Sequence, residues 1–365
     1  MSMLTSIRRN SRMRRLGRWL EKRSKAWLYR WVSAGTSPAK PATPELLRGA
    51  RRVLLVRPNF RLGNALISAR LIRAFVDGRP DIEIDFLGTD TTSTLFKHMP
   101  ITRQFSIQRA MLLRPWQLFR LWRSLKRRDY DLVIQVADSS LTGWLCTQLS
   151  GARYSLGAQG RFANRYDWAY DVPGGENHAY NIAPRIAQAL QLHCEAKPWM
   201  VISAAEQRQA QQLLQRLSAQ PFDVGVFVGG HLDKRLPMTF WQSLMAELNA
   251  SQKRFIVLVG PEEAALSPSI EACTGEFGTL APCMPLRIFA GCINELPRLI
   301  TPDTGPMHMA VALDVPVTVI LNIEGSMKFA PHGPNDTVLF RPTPRDVALT
   351  LDVENFLTEA MGHAA

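Results

Sequence analysis

The sequence predicts an α/β protein of two doubly wound domains that face each other across a cleft. Three observations predict it. Short apolar runs of strand length alternate with helical patterns, which implies parallel sheets covered by helices. The alternation stops and restarts near residue 196. The chain has 365 residues and 46% hydrophobic content, enough for two separate cores. In the first half, residues 51–57 (RRVLLVR), 82–87 and 131–136 (DLVIQV) read as strands, with helices over 65–76 and 116–127. In the second half, residues 223–228, 254–259, 299–301 and 315–321 read as strands, with helices over 240–249 and 306–313. No close internal repeat is visible. The expected organisation is a tail and linker over 1–44, a first domain over 50–195, a second over 196–345 and a C-terminal helix over 346–365.

Ligands of open parallel sheets bind beyond the C-terminal strand ends, so the segments that follow strands are the first place to look for a site. Asp303-Thr304-Gly305-Pro306-Met307-His308 lies where a strand ends and a helix begins. Asp303 can cap that helix by accepting an amide hydrogen bond. Thr304 and Gly305 offer backbone N–H groups, and Gly305 lets an anion approach closely. Pro306 suits the first turn, where its missing N–H costs nothing. The helix dipole adds partial positive charge. This is an anion site built mostly from backbone, with His308 within reach of a phosphate or ribose. An ordinary N-capped helix has the same pattern.

The stretch Gly229-Gly230-His231-Leu232-Asp233-Lys234-Arg235-Leu236-Pro237 also follows a strand and precedes a helix. Lys234 is a flexible point charge suited to phosphate. Arg235 can do the same or pair with Asp233. In the first half, Arg61-Leu62-Gly63-Asn64 opens a helix at the first strand end. Asn64 suits an N-cap, or a polar group that orients an acceptor hydroxyl. There is no DxD, no HExxH and no His/Cys cluster with ligand spacing, so no metal site is expected. A Walker lysine motif and a GxGxxG after the first strand are also absent.

Five scattered cysteines without CxxC spacing argue against a disulfide framework and fit a reducing compartment. No run of about 18 apolar residues suggests a membrane span. The net charge is +13, yet residues 1–40 hold eleven Lys or Arg and one acid, leaving only +3 on the remainder. The basic character therefore belongs to the tail, and nucleic acid is not an expected partner. Met13, Leu16, Leu20, Trp27 and Trp31 recur at helical spacing between the basic residues, a pattern suited to an anionic membrane surface. A solvated or domain-packing helix has the same spacing. Residues 36–44 (TSPAKPATP) read as a linker. A second basic-aromatic stretch runs from Arg114-Pro115-Trp116 to Arg128. It reads as a surface helix whose arginines snorkel outward or meet phosphates.

Three stretches in order, VLLVRPNFRLGNALIS (53–68), GGHLDKRLPMTFWQSL (229–244) and LITPDTGPMHMAVALDVPVTVI (299–320), resemble glycosyltransferase family 9, the ADP-heptose:lipopolysaccharide heptosyltransferases. YDLVIQVADSSLTGWLCTQLSGARYSLG (130–157) adds a weaker match. The resemblance covers roughly residues 50–350 and leaves out the tail. It implies a GT-B fold of two Rossmann-like domains and an inverting transfer without a metal or other cofactor. The nucleotide-sugar donor, ADP-heptose as first guess, would sit on the second domain. Lys234 would neutralise its diphosphate, and Thr304 and Gly305 would contact it. Gly230 and His231 would line the same pocket, while Asp303 and His308 would shape it or touch the ribose or sugar. The acceptor would be an anionic glycolipid of the lipopolysaccharide core, met in the cytoplasm on the inner face of the inner membrane.

One departure stands out. The family commonly has Gly-Asp where this chain has Gly63-Asn64, and that Asp is its base. An amide cannot usefully take the proton that an attacking hydroxyl loses. Asp138, just past a strand end, is the preferred substitute and Asp90 the next; a loop or helix cap is the plainer role for Asp138. The catalytic set is then Asn64, Asp138 and Lys234. Rival readings are a non-catalytic GT-B protein that binds sugar nucleotide or glycolipid, a transferase using another nucleotide sugar, and a GT-B epimerase or nucleotide-sugar hydrolase.

Overall fold

Parallel sheets covered on both sides need strands that are apolar on both faces. The runs Val53–Val56, Leu132–Gln135, Val224–Phe227, Phe255–Leu258 and Val317–Leu321 are buried throughout. They form the middle of two sheets in which every pairing is parallel. The structure is a computed structural model and describes residues 39–108, 111, 114–136, 140–160, 162–172, 178–230 and 232–351.

The first sheet contains β1 (Lys40–Pro41), β2 (Arg52–Val56), β3 (Glu83–Gly88), β4 (Arg103–Ser106), β5 (Leu132–Gln135), β6 (Tyr154–Ala158) and β7 (Trp168–Tyr170), ordered β1-β7-β6-β5-β2-β3-β4. Between its strands run α1 (Leu62–Gly78), α2 (Asp90–Leu95), α3 (Pro115–Lys126) and α4 (Leu141–Ser150), and α5 (Ile182–Ala189) follows. Helix α6 (Ala204–Leu217) then leads to the second sheet. That sheet contains β8 (Val224–Phe227), β9 (Phe255–Leu258), β10 (Gly278–Leu280), β11 (Leu299–Pro302), β12 (Val317–Leu321) and β13 (Thr337–Phe340), ordered β10-β9-β8-β11-β12-β13. Its helices are α7 (Met238–Ala250), α8 (Ser267–Glu271), α9 (Leu286–Asn294) and α10 (Gly305–Ala312). From β2 in the first sheet and β8 in the second, the chain fills one side, returns beside that strand and fills the other, while β1 lies at the far edge of the first sheet. The order reverses between β2 and β5 and between β8 and β11, so crevices open beyond those strand ends.

Within the stretch read as a linker, residues 39–44 are described and two of them pair. Lys40–Pro41 extends the edge of the first sheet, with Lys40 N–H donating to the Asp167 carbonyl at 3.0 Å and Ala42 N–H to that of Ala169 at 2.9 Å. An edge strand can dispense with the N–H that Pro41 lacks. The amphipathic pattern over 1–38 lies outside the described residues. The C-terminal helix starts at 344 and is described to 351, where Val347, Ala348 and Leu351 join the core of the second sheet. Among the described residues no helix is long and apolar enough to cross a membrane.

The two units meet in a packed seam. Helix α10 packs against α1, and α9 against α2. One apolar cluster runs through both units and includes Leu66 and Phe75 of α1 with Met307 and Ala310 of α10. Arg287 of α9 ties the seam. Its Nε and Nη2 donate to the two Glu206 carboxylate oxygens at 3.0 and 2.7 Å. Its Nη1 donates to the Leu95 carbonyl at the end of α2 at 2.8 Å, and Nη2 to the Val201 carbonyl at 2.5 Å. Burial pushes the Glu206 carboxyl up, but Arg287 and the Ser203 N–H outweigh it and hold the group at about 2. Replacing Arg287 with Met removes the main counter-charge of the buried Glu206 carboxylate, leaving it the Ser203 N–H at 3.0 Å and His98 Nε2 at 3.1 Å, and the expected loss is roughly 3 kcal/mol in urea unfolding. A loss below about 1 kcal/mol would show that the guanidinium does not tie the units.

Candidate functional site

Strand adjacency brings together two segments that are far apart in sequence. β8 and β11 pair directly, so the turns that leave their ends lie side by side. Lys234 ends a short 3-10 turn, Leu232–Lys234, and forms an ion pair with Asp303. Its ammonium also sits 5.4 Å from the centre of the Phe329 ring. The turn is anchored by Asn322, whose Nδ2 donates to the Asp233 carbonyl at 2.7 Å. It closes on Gly230, which has φ 153° and where a Cβ would stand 2.9 Å from the Arg235 Cα. Arg235 approaches Glu263 at 3.9 Å instead of pairing with Asp233.

Asp303 does not cap α10. Thr304 is the N-cap, and no side chain caps the helix. The Thr304 hydroxyl is engaged with Thr301 Oγ1 at 3.1 Å and the Pro302 carbonyl at 3.2 Å. Asp303 is buried, and a buried carboxylate gains more from a counter-charge than from one amide. The first N–H groups of α10 therefore keep their attraction for an anion. Thr304 and Gly305 are partly exposed at this end.

The start of α1 stands directly against the start of α10. A Cβ on Gly63 would lie 2.1 Å from His308 Cδ2, and one on Gly305 would lie 3.2 Å from Leu62 Cβ. His308 is thus held in the seam, 5% exposed, and not in open solvent facing a ligand. Its Nδ1 is hydrogen-bonded to Tyr180 Oη at 2.9 Å. Burial, with Asp303 opposing and Lys234 and His178 adding to it, lowers its pKa to about 4. The ring is neutral at pH 7.

Asn64 is the third residue of α1, whose N-cap is Arg61, so it is not the cap. It is half-buried; its carbonyl accepts from Ser68 Oγ at 2.8 Å, and its amide has no hydrogen-bond partner among the described residues. Asp90 is exposed and accepts from Gln108 Nε2 at 3.2 Å. Asp138 and His231 lie outside the described residues. β5, which Asp138 follows in sequence, pairs with β2.

Three side chains join this constellation without a motif to announce them. Tyr180 and Phe329 pack around His308, with ring centres 5.7 and 6.2 Å from it. Glu263 is buried beside the bare α-carbons of Gly229 and Gly260, where added Cβ atoms would be 3.1 and 2.8 Å from its oxygens. Burial, reinforced by Glu262, raises its pKa. The available signal for Glu263 was an acid just past the Gly260-Pro261 strand end; Tyr180 and Phe329 offered none.

A family model described as glycosyltransferase family 9 (heptosyltransferase) matches residues 118–347. The chain belongs to glycosyltransferase family 9. No curated protein matches this glycosyltransferase. Solved structures share its two-sheet GT-B fold. E. coli heptosyltransferase WaaC with ADP is 19% identical with TM-score 0.65, over 84% of this chain and 99% of that one. The family 9 glycosyl transferase from Veillonella parvula is 15% identical with TM-score 0.68, over 83% and 89%. E. coli ADP-heptose lps heptosyltransferase II is 17% identical with TM-score 0.64, over 84% and 99%.

Two expectations follow from the seam. The folded pKa of His308, about 4, lies below the ordinary 6.5, so its contribution to stability is present above pH 6.5 and lost as pH falls toward 4. The contribution is roughly 3 kcal/mol, and His308→Gln should flatten unfolding free energy across that window. Identical pH slopes for both proteins would contradict neutral burial. Gly63→Ala forces the His308 ring to move and should cost roughly 1–3 kcal/mol in thermal unfolding; an unchanged melting profile would show that the seam is loose.

Proposed function

We propose that this glycosyltransferase performs an inverting, metal-independent transfer of a sugar from a nucleotide diphosphate donor to a lipopolysaccharide core-type acceptor, with ADP-heptose the first donor to test. The observation that carries the reading is the Lys234–Asp303 pair at the uncapped start of α10, in a strand-order crevice faced by α1. A departing diphosphate needs its growing charge stabilised where it leaves. Lys234 and the N–H groups of Thr304 and Gly305 supply that stabilisation. Gly230 shapes the same turn, the neighbouring His231 in the sequence is a further candidate for donor contact, Asp303 aims the Lys234 ammonium, and His308 holds the loop against the first unit. Glu263, at the end of the second strand counted from β8, offers an acceptor for ribose hydroxyls. The structural relatives, one solved with ADP and one an ADP-heptose lps heptosyltransferase, support the donor and acceptor chosen.

On the acceptor side, Asn64 orients the hydroxyl and Asp138 takes its proton as it attacks the anomeric carbon. The enzyme works in the cytoplasm on the inner face of the inner membrane, held there by its basic tail, where anionic lipid attracts each Lys or Arg. A second reading is favoured by one observation: the unpartnered Asn64 amide stands where family members carry a carboxylate, which suits a protein that binds sugar nucleotide or glycolipid without turnover.

Nucleotide release, screened across sugar donors with truncated lipopolysaccharide as acceptor, separates the readings. Transfer should occur with one donor, and Asp138→Asn should slow it by roughly 10²–10⁴-fold. Full activity in Asp138→Asn with loss in Asn64→Ala would overturn the base assignment. Donor binding without any transfer would favour the binding protein.

A further inference from the structure

The first unit carries an outward face that neither the core nor the crevice uses. Helices α3 and α4 cover the same side of the first sheet, where Leu125 and Cys146 join Leu54, Val56 and Val133 in one cluster. Their outer surfaces therefore point the same way. On α3, Trp116, Phe119, Arg120 and Arg123 follow at i, i+3, i+4 and i+7, one helical stripe. Trp116 is 55% exposed and Phe119 53%. On α4, Leu145 and Leu149 form a parallel exposed stripe, and Tyr154 begins the next strand at 37% exposure. Five of the nine large exposed apolar side chains among the described residues sit on this one face. Solitary exposed apolar residues need no explanation; a contiguous set does.

The charge is as one-sided as the apolar surface. Residues 109–128 contain seven Lys or Arg and no acid, and residues 140–154 contain Arg153 and no acid. Arg114, Arg120, Arg123, Lys126, Arg127 and Arg153 form no ion pair among the described residues. Arg128 differs, since it is bound to Asp85 and Glu83 inside the fold. Trp116 lies in the first turn of α3, which starts after the C-terminal end of β4. Trp116 is thus on the same edge of the sheet as Asn64.

We propose that the α3–α4 face is a docking surface for an anionic lipid bilayer. Trp116, Phe119, Leu145 and Leu149 enter the headgroup boundary, and the unpaired cations meet lipid phosphates around them. Aromatic rings at an interfacial depth, interleaved with cations and free of carboxylates, match what a bilayer surface offers. A protein partner would need pockets complementary to these side chains and a carboxylate for each cation, whereas a bilayer surface offers phosphates throughout. The inference is separate from the basic tail, since it rests on the folded body, and separate from the transfer reaction, since docking is read without turnover. Two contacts also give firmer attachment than one.

The test uses the full chain with vesicles of phosphatidylglycerol and phosphatidylcholine. Hydrogen exchange should slow over residues 114–127 and 141–150 when vesicles are added. The variant Trp116→Ser/Phe119→Ser/Arg120→Gln/Arg123→Gln should partition onto the vesicles at least roughly tenfold more weakly, given about fivefold for each basic residue near such a surface. All four side chains are exposed, so its circular dichroism should match the wild type. Vesicle-bound protein with unchanged exchange in both helices would overturn the proposal and leave attachment to the tail. Protection that depends on protein concentration and not on lipid would also overturn it, assigning the face to a second copy of the chain.

Discussion

The rest of the site depends on the contact between the first turns of α1 and α10. It exists because two side chains are absent. At Gly63 a methyl group would strike the His308 ring, and at Gly305 it would press on Leu62. Helix starts at such short range bring the end of β2 and the end of β11 to one crevice, although the strands belong to different sheets. Tyr180 then locks the arrangement by its hydrogen bond to His308, and Arg287 holds the far side through Leu95 and Glu206. Close packing transmits a displacement at any of these points to the others.

Within that frame the Lys234–Asp303 pair has a purpose other than stability. A buried ion pair returns little net energy once both groups have left water. What it does is aim an ammonium. Lys234 is about a quarter exposed while Asp303 is almost fully covered, so the cation faces outward from an anchored carboxylate. The Phe329 face constrains it from another side. A flexible lysine thereby stands ready beside helix amides that no side chain caps, and little reorganisation is needed when phosphate oxygens arrive.

Much of this was legible in the sequence because its signals are local. The buried strands VLLV, LVIQ, VGVF, FIVL and VTVIL are continuous apolar runs, and their positions agree within a residue or two. The edge strands β1, β4, β10 and β13 were not legible, since an edge needs no apolar run and is made by pairing with a neighbour; nor was β7, three residues long between β1 and β6. The same holds for β6, whose Gly157 is bare because Tyr166 lies against it. Helix α6 could have been read from its Ser203 to Glu206 capping box. The role of Asp303 was misread because a cap is decided three residues away, whereas Lys234 lies 69 positions off and meets it only through sheet order. For His308 the sequence left open a role in shaping the loop or a contact with ribose or sugar, because nothing local in PMHMA announces Gly63 and Tyr180 closing over the ring.

The central claim is that Lys234 and the start of α10 receive the diphosphate of the donor. Calorimetric titration of ADP into the wild type and into Lys234→Met tests it most directly. The account predicts binding at least roughly tenfold weaker in the variant, the size of one charge-assisted hydrogen bond. Equal affinity in the two proteins would contradict it.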